Sequence, residues 1–173
     1  MFNGEFLVSI NSKNGGGCVK IRKYEIEDFQ AALEYCLPPQ QALYTSMPVE
    51  VLKTFQCDIF NQPFVVYADQ QLVGWFALYT DGSGNMYTNN KQAILLKSFS
   101  IDARFQKRGF ALDSLQLLPK LVKEHYKDKS EIILTVHETN HAAISLYRKA
   151  GFIHKGENYH GEYGIEMIFH MSL

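Results

Sequence analysis

Residues 93–125 read AILLKSFSIDARFQKRGFALDSLQLLPKLVKEH. Ala93–Ile101 has the apolar run of a largely buried strand. A basic loop, Arg104 to Arg108, follows it. A helix then runs from about Gly109 to His125, with Ala111, Leu115, Leu118, Val122 and His125 on one stripe. Pro119 inside that stretch predicts a kink. The first turn of a helix leaves backbone N–H groups without partners, and its dipole favours an anion. Gly109 lets a phosphate approach the backbone closely, and Ala111 is nearly as small. Arg104, Lys107 and Arg108 put three cations within five residues of this helix start. The chemistry implied is capture of a phosphate or pyrophosphate. Taken alone, one glycine among basic residues also describes an ordinary loop. No G-x-x-x-x-G-K-[ST] run occurs, and the dinucleotide fingerprint lacks its other glycines.

Outward from this segment the pattern continues. Glu131–His137 is a second strand, and Asn140–Ala150 a short helix closed by Gly151, the expected left-handed residue after a helix. The tail alternates, with Ile165, Met167, Phe169 and Met171 on one face and Glu166 and His170 on the other. Upstream, Phe64–Ala68 and Leu72–Tyr79 read as a hairpin across Asp69-Gln70-Gln71. Thr80–Gln92 is a polar loop. Val19–Lys23 is β-prone. Glu25–Leu37 places Ile26, Phe29, Leu33, Cys36 and Leu37 at helical spacing and stops at Pro38-Pro39. A second helix starts at Pro48 and ends near Asn61. Residues 1–18, with Gly15-Gly16-Gly17, are expected to form a flexible leader with a short extended piece at Phe6–Ile10. The order is β-α-α-β-β-β-α-β-α-β-β, a mixed α/β arrangement.

The loop Q-K-R-G-F-A at 106–111 and the run NHAAISLYRKAGF at 140–152 stand in one chain, with a long helix and a strand between them. Together they resemble the GNAT superfamily of acetyl-CoA-dependent N-acetyltransferases. The first matches its Q/R-x-x-G-x-G/A pyrophosphate loop, the second its N-x-x-A-x-x-L-Y-x-K-x-G-F signature. The resemblance covers roughly Val19 to Leu173 and is strongest over 93–152. It implies one domain over residues 19–173, built on a central mixed, mostly antiparallel sheet with helices on both faces. Lys107 stands where many members carry a further glycine, and Ala111 replaces the commoner final glycine.

Carried over residue by residue, the resemblance gives a site for acetyl-CoA. Phe99, Ser100 and Ile101 fall where the strand splays from its neighbour and pairs with the pantetheine amides. Gln106, Lys107, Arg108, Gly109, Phe110 and Ala111 cradle the pyrophosphate. Asn140 reaches the pantetheine arm, and Tyr147 sits near the thioester sulfur as general acid for the departing thiolate. The N–H near Ile101 is the candidate donor to the tetrahedral intermediate. A tyrosine at Tyr147's spacing also suits a core. The base is open: the strand before the loop carries Lys97, Ser98 and Ser100 and no acid. His137, Glu138, Glu157, Glu162 and Glu166, or a water, are the candidates.

Composition bounds the rest. The chain has 173 residues, enough for one domain, and 46% apolar residues, too many for a disordered chain. Its 17 basic and 18 acidic side chains leave a net charge of −1. That lacks the basic excess of a nucleic-acid binder. No apolar run spans a membrane, and the N-terminus has no basic signal region. Cys18, Cys36 and Cys57 are too scattered for a disulfide framework or a zinc site. They fit reduced thiols of a cytoplasmic protein. Cys36 and Cys57 read as small buried hydrophobes, so the acetyl group should pass directly to the amine in a ternary complex. The acceptor half is rich in aromatics, among them Phe29, Tyr35, Tyr44, Trp75 and Tyr79. The RFQKRGF and AAISLY runs are similar to those of bacterial polyamine acetyltransferases, which makes a small polyamine-like amine the first expectation. A peptide or protein N-terminus is the rival. A non-catalytic acyl-CoA-binding regulatory module is a third option, against which Tyr147 stands. Exposed strands at the tail would suit a homodimer.

Overall fold

The structure, a computed structural model, describes residues 6–12, 17–55 and 58–173. Eight strands form one sheet: β1 (Val8–Asn11), β2 (Cys18–Lys23), β3 (Asn61–Ala68), β4 (Gln71–Tyr79), β5 (Ala93–Ile101), β6 (Glu131–His137), β7 (Ile153–Gly161) and β8 (Gly164–Ser172). Their spatial order is β1-β2-β3-β4-β5-β6-β8-β7. All neighbours are antiparallel except β5 and β6. That one parallel pair needs a crossover, which α3 (Phe110–His125) supplies. The helices α1 (Phe29–Leu33), α2 (Pro48–Phe55) and α4 (His141–Ala150) complete the fold.

Both faces of the sheet are covered, so its central strands are apolar on both sides. On one face Phe64, Val66, Ile94, Leu96, Ile132 and Leu134 pack with α3 and α4. On the other, Val65, Leu72 and Trp75 pack with Tyr35 and with Val51 of α2. The alternation of Phe64 and Val66 with Val65 is the period-two rule at work on a strand buried twice.

Three features differ from the pattern in the sequence. The spacing over 25–37 predicts one helix with Ile26, Phe29 and Leu33 inward. The chain instead makes a 3₁₀ turn, Ile26–Asp28, and the short α1, with those three side chains exposed. The buried residues are Asp28, Ala32 and Tyr35, a second helical stripe whose first member is charged. Arg22 forks onto Asp28 at 2.6 and 2.7 Å, and the Tyr67 hydroxyl donates to it at 2.7 Å. This pairing turns the polar face inward. Cys36 lies beyond that helix and is exposed rather than buried, while Cys57 lies outside the described residues.

Within the stretch 1–18, expected as a leader, Val8–Asn11 is strand β1, paired with β2, and Val8 belongs to the core. The sheet therefore begins eleven residues ahead of Val19. Residues 1–5 and 13–16 of that stretch lie outside the described residues. Helix α2 ends at Phe55, and the chain is already back in β3 at Asn61, where the sequence predicts the end of a helix.

Candidate active site

The site starts from a defect in the sheet. Strand β5 pairs with β6 only over Ala93–Leu96, the last rung being Leu96↔Leu134. Beyond it Thr135–His137 pair with β8 alone. On the other side of β5 the register with β4 slips between Trp75 and Ala77, so Ser98 and Phe99 together face Phe76. Ser98 absorbs this bulge at φ 52°, in the left-handed region. The strands part here into a cleft.

Backbone direction follows from the ladder. The Asp102 N–H donates to the Val73 carbonyl at 2.9 Å. Pairs alternate in an antiparallel ladder, so Gly74 and Ile101 form the non-hydrogen-bonded pair. The N–H and C=O of Ile101 therefore turn away from β4, toward the cleft. Phe99 follows by the same alternation, while Ser100 is held: it is buried, with its hydroxyl 2.9 Å from that of Tyr35. Unpaired amides on this lip are what a β-strand-like polyamide arm can use.

At the end of β5, Asp102 is fully buried and organises the turn Ala103–Phe105. It accepts from the Arg104 N–H at 2.9 Å and from the Arg104 guanidinium at 2.7 and 3.0 Å. All three loop cations are exposed, but Arg104 is tied to Asp102, while Lys107 and Arg108 make no ion pair among the described residues. Lys107 (φ 61°) and Gly109 (φ 85°) are both left-handed, which bends the loop into the start of α3. The first helical hydrogen bond runs from Asp113 N–H to the Gly109 carbonyl at 3.1 Å. The N–H groups of Phe110, Ala111 and Leu112 precede it and form the anion cradle of a helix start. The residues present fit a pyrophosphate: orphan donors, a left-handed glycine and two cations, Lys107 and an Arg108 that rests over the rings of Phe105 and Phe110. Gln106 works differently from the cradle, its side-chain amide donating to the Ile101 carbonyl at 2.8 Å and so pinning loop to strand.

Across the cleft, Asn140 caps α4, accepting from the Ala143 N–H at 3.2 Å and leaving its own N–H groups for another partner. Tyr147, about two helical turns further on, is buried against Phe152 and Phe169. Burial pushes its phenol well up from the ordinary value, and its hydroxyl has no hydrogen-bond partner among the described residues. It lies on the α3 and α4 face of the sheet.

The opposite face carries a cavity of about 270 Å³, lined by Asp58, Tyr79, Asn85, Tyr87, Leu95 and Lys97. A second trough shares Met86 and Tyr87 with it and reaches Glu157. Lys97 lies one residue before the bulge. Its ammonium donates to Asn61 at 3.1 Å and rests near the rings of Phe55 and Tyr79, and burial lowers its pKa. Asn61 in turn donates to Asp58 at 2.7 Å.

The chain joining α1 and α2 straps the mouth of the cleft. The Ala103 N–H donates to the Cys36 carbonyl at 2.8 Å, and the side chains of Gln41 and Gln106 exchange bonds of 2.8 and 3.2 Å. The Tyr44 hydroxyl lies 3.1 Å from that of Thr139, past the end of β6. Local motifs do not mark Gln41, Tyr44 or Thr139. In the sequence Tyr44 stands out only as one of the many aromatics of the first half of the chain. No helix among the described residues is long and apolar enough to cross a membrane, and these residues hold no cluster of three metal-ligating side chains.

Comparison with known proteins agrees with this geometry. Residues 24–152 match the model of the Acetyltransferase (GNAT) family. The chain is 32% identical over 156 residues to YbbJ, an uncharacterized N-acetyltransferase of Bacillus subtilis, covering 90% of this chain and 98% of that one. It is 35% identical over 104 residues to the spermine/spermidine N(1)-acetyltransferase of the same organism, covering 60% and 67%. The GNAT domain of S. lividans PAT superimposes with a TM-score of 0.76 over the whole of both chains, at 14% identity.

Proposed function

The chain belongs to the GNAT acetyltransferase family and is an N-acetyltransferase using acetyl-CoA; from that premise we propose that it acetylates the primary amine of a small acceptor, of polyamine type first. The observation that carries the proposal is the cleft between β5 and β6, with a pyrophosphate cradle at one end and a cavity across the sheet. In this reading Phe99 and Ile101 offer backbone groups to the pantetheine arm, with Ser100 held between them. Asn140 meets the same arm from the other lip. The cradle formed by Lys107, Arg108, Gly109, Phe110 and Ala111 holds the pyrophosphate, and Gln106 fixes the loop.

The thioester supplies the activated acetyl group. The protein orients it and excludes competing water. The acceptor enters from the cavity face and attacks directly. The Ile101 N–H points where negative charge develops on the carbonyl oxygen. Tyr147, on the other face, donates its proton to the leaving sulfur. Acid and acceptor thus approach from opposite sides of the sheet.

For the acceptor, Asp58 gives the cavity a carboxylate beside Tyr79, Glu157 gives one to the adjoining trough, and Tyr87 lines both, which suits a linear polyamine. The partial relative that acetylates spermine and spermidine supports the same class. Lys97 favours a second acceptor, one carrying a carboxylate beside its amine, such as a short peptide. The enzyme is proposed to work in the cytoplasm, with the exposed outer strand β7 as the surface for a homodimer.

Thiol release from acetyl-CoA is the test, run with spermidine, spermine, amino acids, aminoglycosides and short peptides. Turnover with polyamines supports the first class, and turnover confined to carboxylate-bearing amines replaces it by the second. No turnover with any amine overturns the small-amine proposal.

A further inference from the structure

Which group takes the proton from the acceptor ammonium is open in the sequence, and the strand before the cradle supplies no acid. The end of β6 does supply a proton acceptor. Ile132, Leu134 and Val136 turn to the α3 and α4 core that also holds Tyr147. By alternation Ile133, Thr135 and His137 turn to the opposite face, where the cavity lies. His137 also stands beyond the last β5–β6 rung, on the open lip of the cleft.

The hydrogen bonds around His137 fix its protons. Its Nε2 lies 2.9 Å from the Tyr163 carbonyl, which can only accept, so Nε2 carries the hydrogen. In the neutral ring Nδ1 is then an acceptor. Two donors agree: the Thr139 hydroxyl lies 2.8 Å from Nδ1 and the Thr139 N–H 3.3 Å. Thr139 has one hydroxyl proton, and it points at Nδ1. Across the 3.1 Å contact the donor must therefore be Tyr44. What remains is the Tyr44 oxygen, on a half-exposed side chain of the strap, with its lone pairs unused by that bond. The seat is made for this ring, since a Cβ on Gly164 would stand 2.7 Å from Nε2.

We propose that Tyr44, Thr139 and His137 form a proton relay that deprotonates the acceptor amine, with His137 as the terminal proton acceptor. The proposal rests on the transferase reading above. The ammonium N–H bond breaks as its proton passes to the Tyr44 oxygen. The Tyr44 proton passes to Thr139, and the Thr139 proton to Nδ1. The products are a free amine and an imidazolium whose N–H groups face Thr139 and the Tyr163 carbonyl. The imidazolium gives its proton to water after each turnover. The other ionisable groups facing the ring are Glu166, its cross-strand partner on β8, and Tyr159, opposite Glu166 on β7. Glu138 follows it in the chain, and Tyr163 lies in the β7–β8 turn.

The experiment is a pH profile of thiol release, from about pH 6 to about pH 10, with the best amine of the panel. Tyr44→Phe and His137→Gln should each lower kcat/KM about 100-fold near neutral pH, within the range of general-base catalysis. The defect should shrink toward alkaline pH, where a growing share of the amine is already free base. Acetyl-CoA should raise the melting temperature of both variants as it does that of the wild type. A loss of the same size at every pH marks a structural role and overturns the relay, as does near-wild-type activity at neutral pH. Tyr44→Phe removes one surface hydroxyl, so it keeps the test open if His137→Gln folds poorly. A wild type that releases no thiol with any amine overturns the transferase reading and the relay together.

Discussion

A phenol that protonates a leaving thiolate must keep its proton until the carbon–sulfur bond breaks. Tyr147 meets that condition because burial pushes its pKa up, so it stays protonated across the neutral range and does not itself shape the pH profile there. Its hydroxyl is uncommitted to any described residue, as the proposed role of acid requires. Tyr147→Phe keeps the ring contacts with Phe152 and Phe169 and removes only the proton. It should lower kcat about 100-fold and leave acetyl-CoA binding unchanged, as read by steady-state thiol release and by titration of the cosubstrate. The proposed roles of Tyr147 and Gly109 come from the sequence because each sits in a short motif whose neighbours are adjacent in the chain. Tyr44 and Thr139 are not, since their contact joins residues 95 apart and depends on where the strap lands. Arg104 shows the opposite case. Its place among three loop cations reads as phosphate binding, yet a buried Asp102 two residues away takes its guanidinium.

Among the elements, α1 shows how one buried charge redirects a segment. An apolar stripe predicts which face turns inward only when the competing face has nothing to bury. Here the competing face carries Asp28, and Arg22, Tyr67 and the Glu25 N–H satisfy it. Burial works against the Asp28 charge, but these hydrogen bonds outweigh it and hold the carboxyl below the usual carboxylate range. A carboxylate with a lowered folded-state pKa contributes stability that is present above its unfolded pKa and is lost as pH falls through the folded one. Asp28→Asn should therefore cost about 3 kcal/mol near neutral pH, because it takes away the buried carboxylate onto which Arg22 forks. The gap between variant and wild type should close in acid. Urea unfolding at a series of pH values measures both. Strands β5 and β6 and helices α3 and α4 follow their sequence patterns because their inward faces are wholly or mostly apolar. Strand β1 is foreshadowed only as a short extended piece, since four residues beside a glycine run carry little periodicity.

At the scale of the molecule the sheet is two blades hinged on four rungs. Strands β1 to β5 form one blade and β6 to β8 the other, joined in the sheet only through Ala93–Leu96 with Glu131–Leu134. Below the hinge the blades part, and the proposed cosubstrate groups stand on both: Phe99, Ile101 and the start of α3 on one lip, Asn140 on the other. A molecule lying in the cleft replaces missing rungs with its own amides, and so ties together two halves that otherwise share little backbone pairing. Binding to the native state alone should then stabilise the fold by about 2.7 kcal/mol at roughly 100 times the dissociation constant. For a chain of this length that corresponds to a rise in Tm of roughly 5–10 °C. The rise should come with slowed amide exchange on both lips at once, at residues 97–101 and 135–140 and in the first turn of α3. Thermal melts and exchange mass spectrometry with acetyl-CoA measure this directly. Protection confined to the start of α3, with the lips unchanged, would mean that the pyrophosphate alone is held and that the cosubstrate does not bridge the blades.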